Sequence, residues 1–320
     1  MADKIAVREQ AGEKSREIAS VTQGEKLTDL GRVSNFVSNI HLGDSLLQGP
    51  WIEVALRDGR SGWAFAAALS PQGDRLEWLL QKKMQCFFGA ELSARRNIWL
   101  NDQKQMNTES DVARQYKASM ALRDAVMARL AARSEPGEAD LTPDFFWLND
   151  ALPGFVVQRM DESGRVFCFA DYRIWQQLAR STPGEQDDRF FDLKQQMFPF
   201  DSIESKFPVW TFQTSLEEGN SRLGAGIHLQ MLKNIDEALL VCPLFKEELV
   251  ADKSLILNDI LDSKMSYRMA EDKIREELDQ ILSNPPRCLD DRDLLALQER
   301  RKLFDQPAAN GIRVNLRAGE

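Results

Sequence analysis

Reactive side chains are scarce in this 320-residue chain, which has only two histidines and four cysteines. The cysteines are too widely spaced to supply the paired ligands of a cysteine zinc site. The motifs C-x-x-C, H-E-x-x-H and G-x-S-x-G are absent, which argues against the zinc enzymes and hydrolases that carry them. We therefore predict no metal site, no cofactor and no assigned catalytic residue. A Ser/His/Asp set stays open because triads assemble in space rather than in sequence.

Long apolar segments and excess positive charge are also missing. No apolar run approaches the roughly 20 residues that a membrane-spanning helix needs. The net charge of −9 disfavours non-specific binding to nucleic acids. The first ten residues lack the apolar region of a signal peptide. We expect an extracytoplasmic protein of the periplasm or cell envelope if a signal peptide was removed, and a cytoplasmic protein otherwise.

The residues from 51 to 69, WIEVALRDGRSGWAFAAAL, have the pattern of a β-hairpin. Asp58-Gly59 is a two-residue turn signal between two β-prone runs. If these two residues form the turn, the register is fixed and Trp51 lies on the face opposite the core. The core face then carries four large apolar residues: Ile52 and Val54 on the first strand, and Trp63 and Phe65 on the second.

Three segments of the first 70 residues resemble, in order, the bacterial SH3 (SH3b) domain. They read VREQAGEKS near the start, GEKL in the middle, and W-I-E-V-x-L-x-D-G-R-x-GW-x-F at the hairpin. The resemblance implies a five- to six-stranded barrel that binds a ligand in a shallow groove. Members of that family mostly lie in the cell envelope. The expected partner is therefore a protein or a peptidoglycan peptide.

The resemblance also selects candidate ligand-binding residues. Trp51 matches the tryptophan that opens the closing hairpin, and an exposed aromatic side chain gives a large contact area. The connection from Phe36 to Pro50 is longer than usual for the family, and we expect Phe36 and His41 to lie on the rim of the groove. In the alternative interpretation, Trp51 packs against the rest of the chain as an interface residue.

Helical periodicity dominates after a short break at 71–74. Apolar residues recur at i, i+3 and i+4 from Arg75 to Arg133, with a break at 106–108. Two apolar runs on either side of 161–164 indicate a second β-hairpin. Further helices are predicted at 171–179, up to about 197, and at 229–249, 255–282 and 291–304.

Two further segments invite interpretation. Leu223 to His228 reads LGAGIH, with glycines before a predicted helix as in phosphate-binding loops, but Leu229 stands where the fingerprint needs a third glycine. We therefore do not predict a nucleotide site. The terminal sequence VNLRAGE resembles the opening of an SH3b domain. It either begins a second repeat or pairs with the N-terminal barrel or another chain.

The predicted fold class is α+β and multidomain. A small SH3-like β-barrel covers residues 1–72, a larger and mostly α-helical domain with a β-hairpin covers 73–305, and a strand-like tail covers 306–320. Three hypotheses for function follow. The first is a non-catalytic cell-envelope protein that binds a peptide or cell-wall peptide through the barrel. The second is an enzyme, possibly a hydrolase, with its site in the helical domain near His228. The third is a structural module whose groove the protein fills itself.

Overall fold

The computed structural model describes residues 4–22, 24–42, 45–133, 145–159, 166–200, 207–213 and 219–315. The described residues form two compact units. The first takes its residues from Met1–Lys104, Ala118–Gln158 and Val166–Cys168. The second takes its residues from Gln105–Lys117, Arg159–Arg165 and Phe169–Glu320.

An antiparallel five-stranded sheet opens the first unit. Its strands follow the order β2-β1-β5-β4-β3, so β2 and β3 form the two edges. The sheet is therefore not closed into the predicted barrel. The bounds are β1 (Lys4–Arg8), β2 (Glu17–Thr22), β3 (Thr28–Leu42), β4 (Ser45–Ala55) and β5 (Ser61–Phe65).

The predicted hairpin between β4 and β5 is confirmed, but its predicted register is wrong by one residue. Trp51 pairs with Phe65, and Leu56 donates a backbone hydrogen bond to the Arg60 carbonyl over 2.8 Å. The loop therefore has three residues, 57–59, rather than two. Gly59 has φ 85°, as expected where a turn is followed by one left-handed residue. Asp58-Gly59 signals the turn correctly, but dipeptide composition does not fix the loop length.

The one-residue shift places apolar side chains on both faces of the sheet. Ile52 and Val54 lie in one cluster, with Val7, Val21, Ala64 and Ala66. Trp51 lies in a second cluster, with Phe65 and Ala67. Trp51 lies on the face opposite Ile52 and Val54, as predicted, but Trp63 and Phe65 lie with Trp51 rather than with Ile52, so this face has a core of its own. Gly62 is required where the strands approach closely, because a Cβ there would lie 2.8 Å from the Arg8 carbonyl oxygen.

The predicted loop from Phe36 to Pro50 is also wrong. Most of it is a β-hairpin, in which Val37 pairs with Pro50 and Leu42 with Ser45. Irregularities between Asp29 and Val37 interrupt the pairing of β3 with β4. The apolar and polar residues of this segment alternate weakly, so the period-two pattern of a strand is hard to recognise.

Three helices and a two-stranded sheet follow in the chain. The predicted helix break is confirmed, because Thr108 and Asp111 exchange hydrogen bonds at the start of the second helix. The predicted second hairpin is confirmed as a two-stranded sheet, and its turn at 160–165 lies outside the described residues. The elements are α1 (Arg75–Gln103), α2 (Glu109–Arg133), α3 (Leu148–Ala151), β6 (Phe155–Arg159) and β7 (Val166–Ala170).

The second unit is mainly helical and contains a three-stranded sheet of order β10-β9-β8. The helices predicted at 171–179, up to 197 and at 291–304 are confirmed. The helix predicted at 229–249 is divided at Pro243, which has no N–H to continue it. The helix predicted at 255–282 is divided by a short strand. The elements are α4 (Tyr172–Ala179), α5 (Gln186–Met197), β8 (Thr211–Gln213), β9 (Gly219–Ser221), α6 (Ile227–Val241), α7 (Lys246–Leu261), β10 (Ser266–Tyr267), α8 (Glu271–Ser283) and α9 (Asp291–Leu303).

The described part of the tail runs beside β10. Tyr267 donates a backbone hydrogen bond to the Arg313 carbonyl over 2.9 Å, and Asn315 donates one to the Met269 carbonyl over 3.3 Å. The described tail therefore pairs within the second unit, and of the predicted strand-like segment Val314–Glu320, residues 316–320 lie outside the described residues. Among the described helices, none combines the length and apolar character needed to cross a membrane.

Candidate functional site

The structure buries Trp51, the predicted anchor of the groove. Its side chain is 2% exposed. Its indole Nε1 donates to the Ser38 hydroxyl over 2.9 Å, and its ring lies 5.8 Å from the ring of Phe65. The expectation that Trp51 is exposed is therefore wrong. The contacts are those of a core residue whose one polar atom is satisfied.

Phe36 and His41 are exposed, as expected of rim residues, but Trp51 and His41 do not share a face of the sheet. Phe36 is 42% exposed. His41 is exposed and pairs with Leu46. Its neighbour Ile40 packs against the Trp51 cluster, and consecutive strand residues point to opposite faces. The structure thus does not place Trp51 and His41 in one groove.

A cavity of about 830 Å³ lies instead on the Ile52 face of the sheet. This volume is within the range of small-ligand sites in proteins. Residues from both edge strands line it, so it occupies the region where β2 and β3 do not pair. Its apolar lining consists of Ile5, Val21, Leu27, Ile52, Val54, Ala68, Leu69, Pro71 and Trp78.

Helix α1 supplies one wall of this cavity. Asp74 caps the helix by accepting hydrogen bonds from the backbone N–H groups of Leu76 and Glu77. The cap fixes the start of the helix, and Trp78 follows one turn later. The half-buried Trp78 packs against the Ile52 cluster and lines the cavity. Ile52 and Val54 are 1% exposed and form the covered floor, so an apolar side chain of a ligand would meet the half-buried Leu27, Leu69 and Trp78.

Charged groups lie around the opening. Asp29 is one of them, and its carboxylate lies 2.5 Å from the ammonium of Lys82, which is itself buried and does not line the cavity. Glu25 accepts a hydrogen bond from the Thr22 backbone N–H over 2.9 Å, which holds the turn after β2. The neighbouring Lys26 also lines the cavity. The arrangement is an apolar floor with a rim of both charge signs, which suits a peptide better than a purely apolar molecule.

The sequence interpretation missed Trp78 and the cavity beneath it. The available signal was the break at 71–74, since Asp74 has the properties of a helix cap. A helix that starts soon after a strand can pack back on the sheet. The first large aromatic residue of that helix was therefore a candidate for the cavity wall.

A second polar cluster surrounds His228 in the second unit. The His228 Nε2 lies 2.8 Å from the Asp259 carboxylate oxygen Oδ2, and the Ser221 hydroxyl donates to the same oxygen over 2.6 Å. In a catalytic triad the histidine stands between serine and carboxylate. Here the carboxylate stands between serine and histidine. His228 and Ser221 are both 0% exposed, so a substrate cannot reach them.

The glycine turn before α6 binds a carboxylate of the chain itself. Glu277 on α8 is buried and accepts hydrogen bonds from the backbone N–H groups of Gly224, Gly226 and Leu229 over 2.6, 3.0 and 3.0 Å. Backbone N–H groups at a helix start favour an anion. The phosphate-loop appearance of LGAGIH therefore reflects an internal anion site that Glu277 fills.

Cys168, Cys242 and Cys288 are free thiols, and Cys86, Cys168 and Cys242 are buried. Burial raises the pKa of Cys168 to about 12 and that of Cys242 to about 11. Burial likewise raises the pKa of the half-buried Cys288 to about 11. Such thiols are weak nucleophiles because the thiolate is the reactive form. Within the described part of the chain, no three His, Cys, Asp or Glu side chains cluster as metal ligands would.

Comparisons with protein-family models, with curated proteins and with solved structures found no match to this chain. The open cavity of the N-terminal sheet is therefore the candidate site on the strength of its geometry.

Proposed function

We propose that this chain is a non-catalytic binding protein that holds a peptide in the cavity of its N-terminal sheet. The observation that carries the proposal is the 830 Å³ cavity, which has Ile52, Val54 and Trp78 as apolar floor and wall. An apolar side chain of the peptide fills the cavity. The polar parts of the peptide contact the rim, which includes Glu25, Lys26 and Asp29.

The resemblance of three N-terminal segments to the SH3b domain supports the same class of function. It favours an SH3-like module with a protein or peptidoglycan peptide as ligand, and a location in the cell envelope. The proposed binding residues differ from those that the resemblance suggests. Trp51 supports the sheet from its other face, and the ligand contacts the face of Ile52.

A blocking variant tests the proposal. Ser70 is exposed and lines the cavity, whereas Ser61 is exposed on β5 and does not line it. Random nonapeptides displayed on phage would be selected on the full chain. The affinities of the selected peptides would then be compared on Ser70→Trp and Ser61→Trp. We expect Ser70→Trp to weaken binding at least about tenfold and Ser61→Trp to leave it unchanged.

Two results would contradict this proposal. One is a failure to enrich any peptide on the wild-type chain. The other is equal binding of the selected peptides to the wild type and Ser70→Trp, because the peptides would then bind elsewhere.

The enzyme hypothesis is the weaker candidate. His228 and Ser221 both lie within hydrogen-bond distance of the same carboxylate oxygen of Asp259. The cluster is closed to solvent, however, and its order is not that of a catalytic triad. The hypothesis of a self-filled groove has partial support, since Trp78 and Leu79 of α1 pack against the sheet. The cavity that remains beside Trp78 favours binding over this alternative.

A further inference from the structure

Two arginines, Arg222 and Arg268, lie at one end of the strands of the three-stranded sheet in the second unit. Strands β9 and β10 are parallel neighbours, with Ser221 opposite Tyr267. Arg222 and Arg268 are the next residues along these two strands. Both therefore follow the carboxyl end of a parallel strand.

Both arginines contact the same aromatic ring. The guanidinium carbon of Arg222 lies 4.5 Å from the centre of the Phe212 ring, and that of Arg268 lies 4.3 Å from it. The face of an aromatic ring attracts a guanidinium. Phe212, on β8, thus has two positive charges within 4.5 Å of the centre of its ring. The two charges repel each other, and this repulsion is relieved if an anion binds.

No described carboxylate neutralises this pair. The Arg222 side chain donates one hydrogen bond within the described residues, from Nη1 to the Val209 carbonyl over 3.2 Å. The Nε atoms of Arg222 and Arg268 are buried and have no hydrogen-bond partner.

Other arginines of the second unit differ in this respect. Arg300 donates to the carbonyls of Ile260 and Asp262 and to the Tyr267 hydroxyl. Arg301 pairs with Asp279 over 2.7 Å. The Nε groups of Arg222 and Arg268, which lack a hydrogen-bond partner, thus differ from the side chains of Arg300 and Arg301, which have partners.

We propose that Arg222 and Arg268 bind the oxyanion of a small ligand, either a carboxylate or a phosphate. Guanidinium groups recognise both anions through paired N–H donors. Phe212 orients the two side chains, and the bound anion neutralises both charges. This site belongs to the second unit and is independent of the peptide cavity.

Thermal unfolding of the full chain in phosphate, succinate or chloride at equal ionic strength tests the proposal. We expect phosphate, succinate or both to raise the Tm above its value in chloride. Arg222→Gln and Arg268→Gln should each weaken the oxyanion affinity, measured by calorimetry, at least about tenfold. Arg287→Gln is the control, because Arg287 is exposed and distant in sequence from both arginines.

The outcomes separate the possibilities. An effect of phosphate alone assigns a phosphate-bearing ligand, and an effect of succinate alone assigns a carboxylate. Equal Tm values in all three salts would overturn the proposal, as would an oxyanion effect that both glutamine variants retain. If either glutamine variant fails to fold, Arg268→Lys keeps the charge and removes the paired donors. It should bind the oxyanion more weakly than the wild type, and unchanged binding would count against the site.

Discussion

The N-terminal sheet and the second unit both bury apolar side chains, but the second unit also contains ion pairs in which both partners are almost completely buried. The sheet buries apolar side chains in two clusters, one on each face. The second unit buries charged side chains that meet across long stretches of sequence, such as Lys194 and Asp252, which are 2.6 Å apart. Apolar alternation is visible in a sequence, whereas the partner of a buried charge is not. The comparison therefore shows where sequence interpretation succeeds and where it fails.

The largest effect is expected where a buried charge loses its partner. Lys194 and Asp252 are both almost completely buried, and the Lys194 ammonium lies 4.8 Å from the centre of the Phe198 ring. Lys194→Met would leave the Asp252 carboxylate unpaired. We expect a loss of about 3–5 kcal/mol in the free energy of unfolding, measured by urea titration.

The double variant Lys194→Met/Asp252→Leu is the matched control. It removes both charges and should recover most of the lost stability. A single variant as stable as the wild type would show that the pair does not stabilise the second unit.

Trp51→Ala should lower the free energy of unfolding by a similar amount, because it removes apolar packing from the sheet. Truncation of a buried tryptophan leaves a cavity beside Phe65, and the expected loss is about 3–5 kcal/mol. Trp51→Phe keeps much of the packing and loses only the hydrogen bond to Ser38, so its loss should be smaller. An unchanged Tm for Trp51→Ala would restore the original interpretation of an exposed groove residue.

The loop of the β4–β5 hairpin gives a smaller effect that tests the register. Gly59 has φ 85°, and a residue with a Cβ is disfavoured there by roughly 1–2 kcal/mol. Gly59→Ala should lower the free energy of unfolding by that amount, and Gly59→Asn should lower it less.

Arg57→Pro distinguishes the two loop lengths. In the three-residue loop, position 57 is outside the strand pairing, and proline should change the stability by less than about 1 kcal/mol. In a two-residue loop Arg57 would pair with Arg60, and proline would disrupt the hairpin. A large loss of stability in the urea titration would therefore favour the two-residue loop.

The smallest effect concerns Cys168, whose folded pKa of about 12 lies above the ordinary value of 9.0 because of burial. At pH 8 the folded thiol should react with iodoacetamide roughly a thousandfold more slowly than an unperturbed thiol.

The raised pKa of Cys168 also links stability to pH, because the folded state holds this proton more tightly than the unfolded state. The stability linked to Cys168 is therefore complete below pH 9 and falls as the pH rises from 9 towards 12. Mass spectrometry of the alkylated chain measures the rate, and rapid labelling of Cys168 would contradict its burial.

Much of the fold could be predicted from the sequence, because it depends on local signals. Thr108 and Asp111 mark a helix start, and Asp171 caps α4 as expected. The register of the hairpin could not be predicted, since the left-handed Gly59 lengthens the loop by one residue. That shift changes which side chains of β5 share a face with those of β4. Glu277 lies 48 residues after Leu229, so nothing local indicates that it fills the glycine turn.

The site predicted from the sequence and the proposed cavity lie in the same region of the chain but on opposite faces of the sheet. Period-two alternation shows which residues share a face, but not which face is covered. Helix α1 covers the Ile52 face in part: Trp78 packs on the sheet, and a cavity remains beside Ile52 and Val54. That packing depends on the direction of a helix after a strand, which composition does not specify.

Hydrogen exchange of the full chain, with and without a selected peptide, tests the central proposal most directly. The peptide should protect backbone amides at 24–29 and 68–78, which border the cavity. Protection confined to 34–51 would instead place the ligand on the Trp51 face and contradict the proposed site.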